Sequence, residues 1–529
     1  MRGGVVTHAA PRTARSKLGV AALVVSMGAA LVASAAFVVG RDPRPTTSVP
    51  VASATTTTKQ STTTTTSATT TTTVVTTTSV APREPGTVPA STVGQPWGDV
   101  EGLLMFRGNP TRTFYGTGPV PDRVPMELWS YPDAPMCGFS AVGGESKQWC
   151  GSGWTGQPVV WERPDGITEV IFGAYDKAVH FLDAADGTET RPSFPVGDII
   201  KGSVSLDPDG YPLLYTGSRD NKLRVIALDR DQPEELWSLD AAAVPGIWND
   251  DWDGNPVIVD DILYEGGENG WFFAIRLNRD YDDAGSVAVD PEILVQIPGY
   301  DDELRALVGN NVSIEASVAV FDQRVYFTNS GGRVVGLDVS DVSSGEAPIV
   351  FDYWVGDDAD ATVVVDADGM LYVAVEEERK NARSAEVGQL VKLDPYTDGD
   401  PRIWGVAVPG ANGPGGIWAT PALGDGFVYV STEPGELLAV DAATGETTWT
   451  DAVGPHAWSS PVIVDGMLVL ATCEPPEMRA YSLADPATPM LVWNLAPAAG
   501  GCIESTPAIW NGQIYVGSRD GFFRAYGDG

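Results

Sequence analysis

The sequence has few of the residues that enzymes most often use for acid–base, nucleophilic and metal chemistry. Its 529 residues include 3 histidines and 4 cysteines, with no adjacent cysteines and no Cys-x-x-Cys pair. A zinc site is therefore disfavoured. Gly-x-Ser-x-Gly, His-Glu-x-x-His and the phosphate-binding loop Gly-x-x-x-x-Gly-Lys-Ser/Thr are also absent. The sequence thus lacks the common signatures of serine hydrolases, metalloproteases and P-loop nucleotide-binding enzymes.

Basic residues are scarce beyond the N-terminal region. The first 96 residues hold 8 Lys and Arg against 2 Asp and Glu, which leaves 25 basic and 68 acidic residues in 97–529. A region this acidic repels nucleic acid and anionic lipid surfaces. We interpret the charge as a solvated surface, with attraction of cations or of a basic partner as the alternative.

The first 96 residues divide into three segments. Residues 1–17 are basic, and residues 18–40 form an uncharged stretch long enough to cross a bilayer. This order predicts a signal anchor with a cytoplasmic N-terminus, so the rest of the chain is extracytoplasmic at the cell membrane. Cleavage at Ala33-Ser34-Ala35 is the alternative. Residues 41–96 are rich in threonine and predict a disordered linker.

Residues 97–529 contain a repeated unit of short strands and tight turns. In the clearest copy, Trp418 to Trp449, three turns separate four strands. Aligning the chain on the first strand gives eight copies, 40 to 62 residues apart. We call the first residue of each copy its lead residue; the eight are Thr155, Lys201, Asp253, Glu315, Asp360, Trp418, Trp458 and Glu504.

The clearest copy also carries a spaced set of small, acidic, glycine and tryptophan residues: Ala439, Asp441, Thr444, Gly445 and Trp449. This pattern resembles the PQQ-type propeller repeat of quinoprotein dehydrogenases and of envelope scaffold proteins. The resemblance covers roughly residues 100–529. It implies an all-β, eight-bladed β-propeller with four-stranded antiparallel blades.

Two segments before the first copy have predicted roles in this ring. The last copy ends the chain without a fourth strand, whereas residues 126–131 form a spare strand that contains Trp129. We expect this strand to complete the last blade, which closes the ring and leaves no blade unfinished. Residues 105–113 resemble the lead-in of many PQQ-repeat proteins, and we expect them to cap the side or one mouth of the ring.

Four cysteines lie in the predicted exported region, where disulfides are stable. They allow three pairings. We favour Cys137–Cys150 and Cys473–Cys502 because the members of each pair are close in sequence.

The resemblance also implies where a ligand would bind. First strands line the channel of a propeller, and the loops before them surround one mouth, so the lead residues and the residues just upstream converge there. Indoles can stack on a flat or sugar ring, while carboxylates hold a cation or hydroxyls. The alternative is that the indoles plug the channel and the acids face water. The candidate ligand-binding residues are Trp154, Lys201, Trp252, Asp253, Glu315, Asp360, Trp418, Trp458 and Glu504.

One acidic stretch has the spacing of a calcium loop. Asn249, Asp251 and Asp253 place oxygens at alternate positions before Gly254, a pattern that can wrap a hard cation. A strand predicted at residues 257–259 competes with a full loop, and an acidic surface turn is the alternative.

Two functions follow from the resemblance. The first is a membrane-anchored, non-enzymatic propeller that binds an envelope protein or glycan without a cofactor. The second is a dehydrogenase that uses PQQ and Ca²⁺ to oxidise alcohols or sugars. Such enzymes carry adjacent cysteines against the cofactor, and their absence here favours the first function and disfavours PQQ. Calcium stays open, nucleic acid is not expected as a partner, and the sequence gives no oligomeric state.

Overall fold

A computed structural model describes residues 86–142, 145–410, 413–497 and 500–529. The predicted basic N-terminus, anchor helix and most of the linker lie outside these residues. The prediction of disorder is wrong for the end of the linker, because Val88 is buried and pairs with Asp322, and Ala90–Thr92 forms a 3₁₀ turn. Within the described residues, the two α-helices are short, Asp302–Val308 and Ala382–Val387. No helix of the described ranges combines the length and the apolar character that a membrane span requires.

The described chain folds into an eight-bladed β-propeller with four-stranded antiparallel blades, as the repeats predict. The strands of blades 1 to 4, from the channel outward, are Val159–Glu162, Thr168–Ala174, Ala178–Asp183 and Phe194–Pro195; Ser205–Leu206, Leu213–Thr216, Lys222–Ala227 and Glu234–Asp240; Val257–Val259, Ile262–Gly266, Trp271–Arg276 and Glu292–Pro298; and Ala319–Phe321, Arg324–Thr328, Arg333–Asp338 and Ile349–Trp354.

Blades 5 to 8 repeat this order. Their strands are Val364–Val365, Leu371–Ala374, Leu390–Leu393 and Arg402–Val406; Ala422–Gly424, Phe427–Ser431, Glu436–Asp441 and Thr447–Ala452; Val462–Val464, Met467–Ala471, Met478–Ser482 and Met490–Leu495; and Ala508–Trp510, Gln513–Gly517, Phe523–Gly527 and Met126–Tyr131. In each blade the first strand begins four residues after the predicted lead residue, so the sequence alignment has the correct register throughout.

Insertions lie in the connections between strands. Three small two-stranded sheets pair Cys137–Val142 with Glu145–Cys150, Asp280–Tyr281 with Val287–Ala288, and Glu376–Glu377 with Gly415–Gly416. Short 3₁₀ turns occupy Ala90–Thr92, Ala241–Ala243 and Val342–Ser344. The propeller therefore tolerates the unequal spacing of its repeats without changing its blades.

The ring closes as predicted. Met126–Tyr131 pairs antiparallel with Phe523–Gly527 and becomes the outer strand of blade 8. Trp129 packs against Phe523 at 6.2 Å between ring centres, and its indole N–H donates to the Ala184 carbonyl of blade 1 at 2.9 Å. The closing strand thus joins blade 8 internally and also fastens it to its neighbour.

The core lies between blades, because one sheet cannot cover its own faces. Second strands are almost wholly buried, whereas outer strands expose most of their residues. One cluster joins Tyr429 of blade 6 to Val469 of blade 7, and another joins Tyr215 of blade 2 to Ile258 of blade 3. Packing between adjacent blades therefore provides most of the apolar burial.

The predicted lead-in lies inside the ring. We call residues 102–117 the channel segment; residues 102–115 are buried. Its first residues, Gly102–Leu103, add a strand to the inner edge of blade 1. Further hydrogen bonds connect it to blade 2 through Leu206, to blade 4 through Val320, to blade 5 through Val365 and to blade 8 through Ile509. The segment therefore fills the channel of the ring.

Two arginines of the channel segment complete these contacts. The Arg107 guanidinium donates to the carbonyls of Thr420 and Pro421 in blade 6 and of Pro461 in blade 7. Arg112 donates to Val318 of blade 4 at 2.7 Å and to Asn255 of blade 3 at 2.9 Å. Both arginines are fully buried, and the segment as a whole contacts all eight blades.

Burial lowers the pKa of Arg107 to about 10 and that of Arg112 to about 9. Both values stay above neutral pH, so the two guanidinium groups remain charged. Carbonyl dipoles of the blades solvate them in place of water.

Replacing Arg107 with methionine should cost at least about 3 kcal/mol of unfolding free energy, because three buried carbonyls lose their donor. Urea denaturation measures the change. The matched control is Arg123→Met, which removes an exposed ion pair with Asp528 and should change the free energy by less than about 0.5 kcal/mol. Equal effects of the two variants would contradict a structural role for Arg107.

Candidate functional site

One face of the ring collects two sets of side chains. Neighbouring strands are antiparallel, so the loops before the inner strands lie at the same end of each blade as the turns after the second strands. We call this end the mouth. Lead residues approach it from the first set of loops, and residues two positions past each second strand approach it from the turns.

Three indoles meet over the channel at the mouth. Trp418 and Trp458 stack with ring centres 4.8 Å apart and planes 9° apart. Trp154 crosses from blade 1 and leans on both, at 5.7 Å and 5.1 Å. All three side chains are partly exposed. We call these three residues the indole trio; it fills the centre of the mouth and presents a partly open aromatic surface.

A histidine and a glutamate support one edge of the indole trio. Glu433, in the turn after the second strand of blade 6, accepts a hydrogen bond from the indole N–H of Trp458. Its other oxygen lies 2.7 Å from Nδ1 of His456. Residue 456 has a φ of +58°, a left-handed conformation that is uncommon for residues other than glycine. The His456 side chain is 40% exposed, and burial raises the pKa of Glu433.

A group of carboxylates lies across the mouth from the indole trio. Asp253 and Glu268 of blade 3 and Glu315 of blade 4 each place an oxygen within 4.8 Å of the others. The Lys201 ammonium forms an ion pair with Asp253, and it lies 3.8 Å from a Glu268 oxygen and 5.8 Å from the Trp154 ring centre. We call Asp253, Glu268 and Glu315 the carboxylate trio; Lys201 joins it to the indoles.

More carboxyl groups continue from Glu315 into blade 5. Ser330 donates to Asp360 at 2.9 Å, and Asn311 donates to Asp358 at 3.2 Å. Burial raises the pKa of Glu315 to about 8 and that of Asp358 to about 7. It also raises the pKa of Asp360 well above its ordinary value. This part of the mouth therefore retains protons near neutral pH.

Glu504 belongs to a different part of the mouth. Its carboxylate pairs with Arg519 at 3.3 Å, and Arg519 lies over Trp149 at 4.8 Å. Trp149 is in the hairpin that the Cys137–Cys150 disulfide closes. The Cys473–Cys502 disulfide is also formed, so both predicted pairings are confirmed.

Trp252 corrects one part of the predicted site. Its indole is 1% exposed, packs against Phe273 at 5.5 Å and donates to the Asn221 carbonyl. It fills the gap between blades 2 and 3 and cannot stack on a ligand at the mouth.

The predicted calcium loop is also corrected, because its three side chains turn to different partners. The Asn249 amide donates to Glu268 at 2.8 Å, Asp251 accepts from Arg219 at 2.5 Å, and Asp253 pairs with Lys201. The strand Val257–Val259 forms as predicted, which ends the loop early. Of the three, Asp253 alone belongs to the carboxylate trio.

Sequence reasoning missed Glu268 and Glu433, and it also missed Glu376 of blade 5, whose pKa is raised by burial and by the neighbouring Asp360 and Asp358. Each stands two residues past a second strand, at Gly266, Ser431 and Ala374 respectively. The alignment of the second strands already indicated these positions, because the turn after each second strand lies at the mouth. Extending the alignment by two residues would have found all three.

The comparisons with known proteins agree with the fold. No curated protein matches the chain by sequence. A family profile described as outer membrane protein assembly factor BamB matches residues 386–526. The quinohemoprotein alcohol dehydrogenase from Comamonas testosteroni is 13% identical, with 81% of this chain and 80% of that chain covered and a TM-score of 0.53. Residues 386–526 thus match a PQQ-type repeat family by sequence, and the ring as a whole has the fold of a PQQ-like β-propeller.

Two further solved structures resemble this PQQ-like propeller. The computationally designed Ika8 protein is 12% identical, covers 76% of this chain and 99% of its own, and has a TM-score of 0.51. BamB from Moraxella catarrhalis is 11% identical, with coverages of 76% and 98% and a TM-score of 0.35. At these identities the likeness to solved structures concerns the fold alone.

The mouth of this PQQ-like propeller does not fit PQQ with calcium. The four cysteines form disulfides distant in sequence from one another and supply no adjacent pair. Trp154, Trp418 and Trp458 contact each other and leave no slot for a flat ring between them. The Lys201 ammonium lies among the carboxylates that a calcium ion would need.

The buried carboxyl groups of Glu315, Asp358 and Asp360 predict a pH dependence of stability. Their pKa values are higher in the folded chain than in the unfolded one, so folding takes up protons and stability falls as pH rises from about 4 to about 8. Thermal unfolding across this range should show the decline. Asp358→Asn should flatten it below about pH 7, whereas Asp425→Asn, at an exposed hairpin turn, should not. An unchanged slope in Asp358→Asn would contradict the assignment.

Proposed function

We propose that this propeller is a non-catalytic binding module of the cell envelope that takes a glycan or protein partner at its mouth. The partly exposed indole trio carries the proposal. The channel segment already fills the channel. Closing the channel therefore does not require three tryptophans at its mouth. Exposed indoles in a polar rim are a usual feature of ligand-binding surfaces.

The side chains around the indole trio favour a glycan as the ligand. Indole faces stack on the C–H faces of sugar rings, and carboxylates accept hydrogen bonds from hydroxyls. Glu433 and the partly exposed His456 border the trio on one side, and Lys201 with Asp253 borders it on the other. A protein partner would use the same surface through basic or aromatic side chains, which the excess of acidic residues attracts.

The predicted topology supports an envelope location. A basic N-terminus, an uncharged stretch at residues 18–40 and a threonine-rich linker would hold the propeller outside the cell membrane. Two disulfides agree with an oxidising compartment. The matching family profile is that of an outer membrane protein assembly factor, which supports a binding role, although the match covers residues 386–526.

The double variant Trp418→Ala, Trp458→Ala should lose at least about tenfold in affinity for cell-wall glycan fragments, because each lost stacking contact is worth about 1 kcal/mol. Isothermal titration with purified fragments measures the affinity. Trp248→Ala is the control, since it removes an indole that is 48% exposed and lies outside the trio. Full affinity in the double variant, with intact folding, would reject binding at the trio.

A dehydrogenase is the competing function, and the lack of fit at the mouth argues against it. Dye-linked oxidation of alcohols and sugars after addition of PQQ and Ca²⁺ should show no turnover above that of a heat-denatured sample. Sustained turnover that disappears in the double tryptophan variant would replace the binding proposal with the catalytic one.

A further inference from the structure

The carboxylate trio already holds a cation that belongs to the chain. The Lys201 ammonium pairs with Asp253 and lies 3.8 Å from Glu268. Burial opposes its charge, but Asp253, Glu268 and Glu315 together raise the pKa of Lys201 above its ordinary value. Lys201 comes from blade 2, Asp253 and Glu268 from blade 3, and Glu315 from blade 4, so the cation joins three blades.

The spacing of the three carboxylates suits a single ion. Two oxygens bound to one Ca²⁺ at about 2.3–2.6 Å from it cannot lie more than about 5 Å apart. The oxygens of Asp253, Glu268 and Glu315 lie within 4.8 Å of one another. All three are hard oxygen donors, the ligand type that Ca²⁺ and related divalent cations prefer.

Two of these carboxyl groups have oxygens that accept no hydrogen bond from a nitrogen or hydroxyl donor. They are Oδ1 of Asp253 and Oε1 of Glu268, and the Glu268 side chain is 2% exposed. The other Glu268 oxygen accepts from Asn249, which fixes the direction of the carboxylate. A buried carboxylate oxygen without a donor is costly, so the cluster has unused capacity for a ligand.

We propose that Asp253, Glu268 and Glu315 form a latent divalent-cation site that Lys201 occupies, so that its ammonium substitutes for a metal. This inference does not depend on which partner binds at the mouth. A metal entering the native site would have to displace a buried ammonium and leave it without its carboxylates, at a large desolvation cost. The native mouth therefore keeps its shape without metal.

Removing the ammonium should open the site. In Lys201→Met the side chain keeps its approximate length but loses its charge, so Asp253 and Glu268 lose their ammonium partner. We expect this variant to bind Tb³⁺ and Ca²⁺ at least tenfold more tightly than the native protein. The Trp154 ring lies 5.8 Å from the present ammonium position, so bound Tb³⁺ would emit when the indole is excited.

The experiment titrates Tb³⁺ into the native chain, Lys201→Met and Lys201→Met with Glu268→Gln, and then competes with Ca²⁺. We define site emission as the part of the Tb³⁺ emission that the Glu268→Gln substitution abolishes. Lys222→Met is the matched control, because Lys222 forms a partly exposed ion pair with Glu235, which lies outside the carboxylate trio. We expect site emission in Lys201→Met alone, with a rise in its melting temperature when Ca²⁺ is added.

Two outcomes would overturn the proposal. One is a folded Lys201→Met that binds no ion at the site. The other concerns the native chain and applies even if the variant fails to fold: Ca²⁺ or Tb³⁺ binding by the native protein that Glu268→Gln abolishes would show that Lys201 does not exclude metal. The expected native result is a melting temperature that chelator and Ca²⁺ leave unchanged.

Discussion

The hydrogen bonds from two buried arginines to the inner strands are the contacts on which the ring depends. Inner strands are short, and the carbonyls just before them point into a channel where they would need water or a donor. Arg107 and Arg112 supply donors to blades 3, 4, 6 and 7. Backbone hydrogen bonds from the channel segment reach the other blades. The channel segment therefore provides hydrogen-bond partners to all eight blades.

A filled channel changes what the mouth can be. The indole trio and the carboxylates lie at one end of a closed structure, and a ligand there meets a surface instead of a passage. The acidic groups can be buried in this position because each has a partner of opposite sign or a raised pKa: Asp253 has Lys201, Asp251 has Arg219, and burial raises the pKa of Glu315 to about 8. The mouth is thus organised by electrostatic compensation as much as by packing.

The fold could be predicted because it repeats. Eight aligned copies carry the same strand signals, and errors in one copy are corrected by the others. The site was harder to predict, because residues at equivalent positions of the repeat do not all reach the mouth. Trp154 and Trp252 both stand one residue before a lead residue, yet Thr155 has a φ of +57°, and Trp154 reaches the channel axis. Trp252 instead fills the gap beside Phe273. Backbone conformation of this kind, and pairing such as that of Lys201 with Asp253, depend on neighbours distant in sequence.

The closing strand has a consequence for biogenesis. Met126–Tyr131 precedes the other strands of the eight blades, whereas its partner Phe523–Gly527 follows all of them. During synthesis this strand has an unsatisfied hydrogen-bonding edge until blade 8 has been made, and contacts this distant in sequence slow folding. Seven blades can assemble progressively, but the circle closes only after blade 8 has been synthesised, so an open strand edge is available for aberrant pairing throughout that interval.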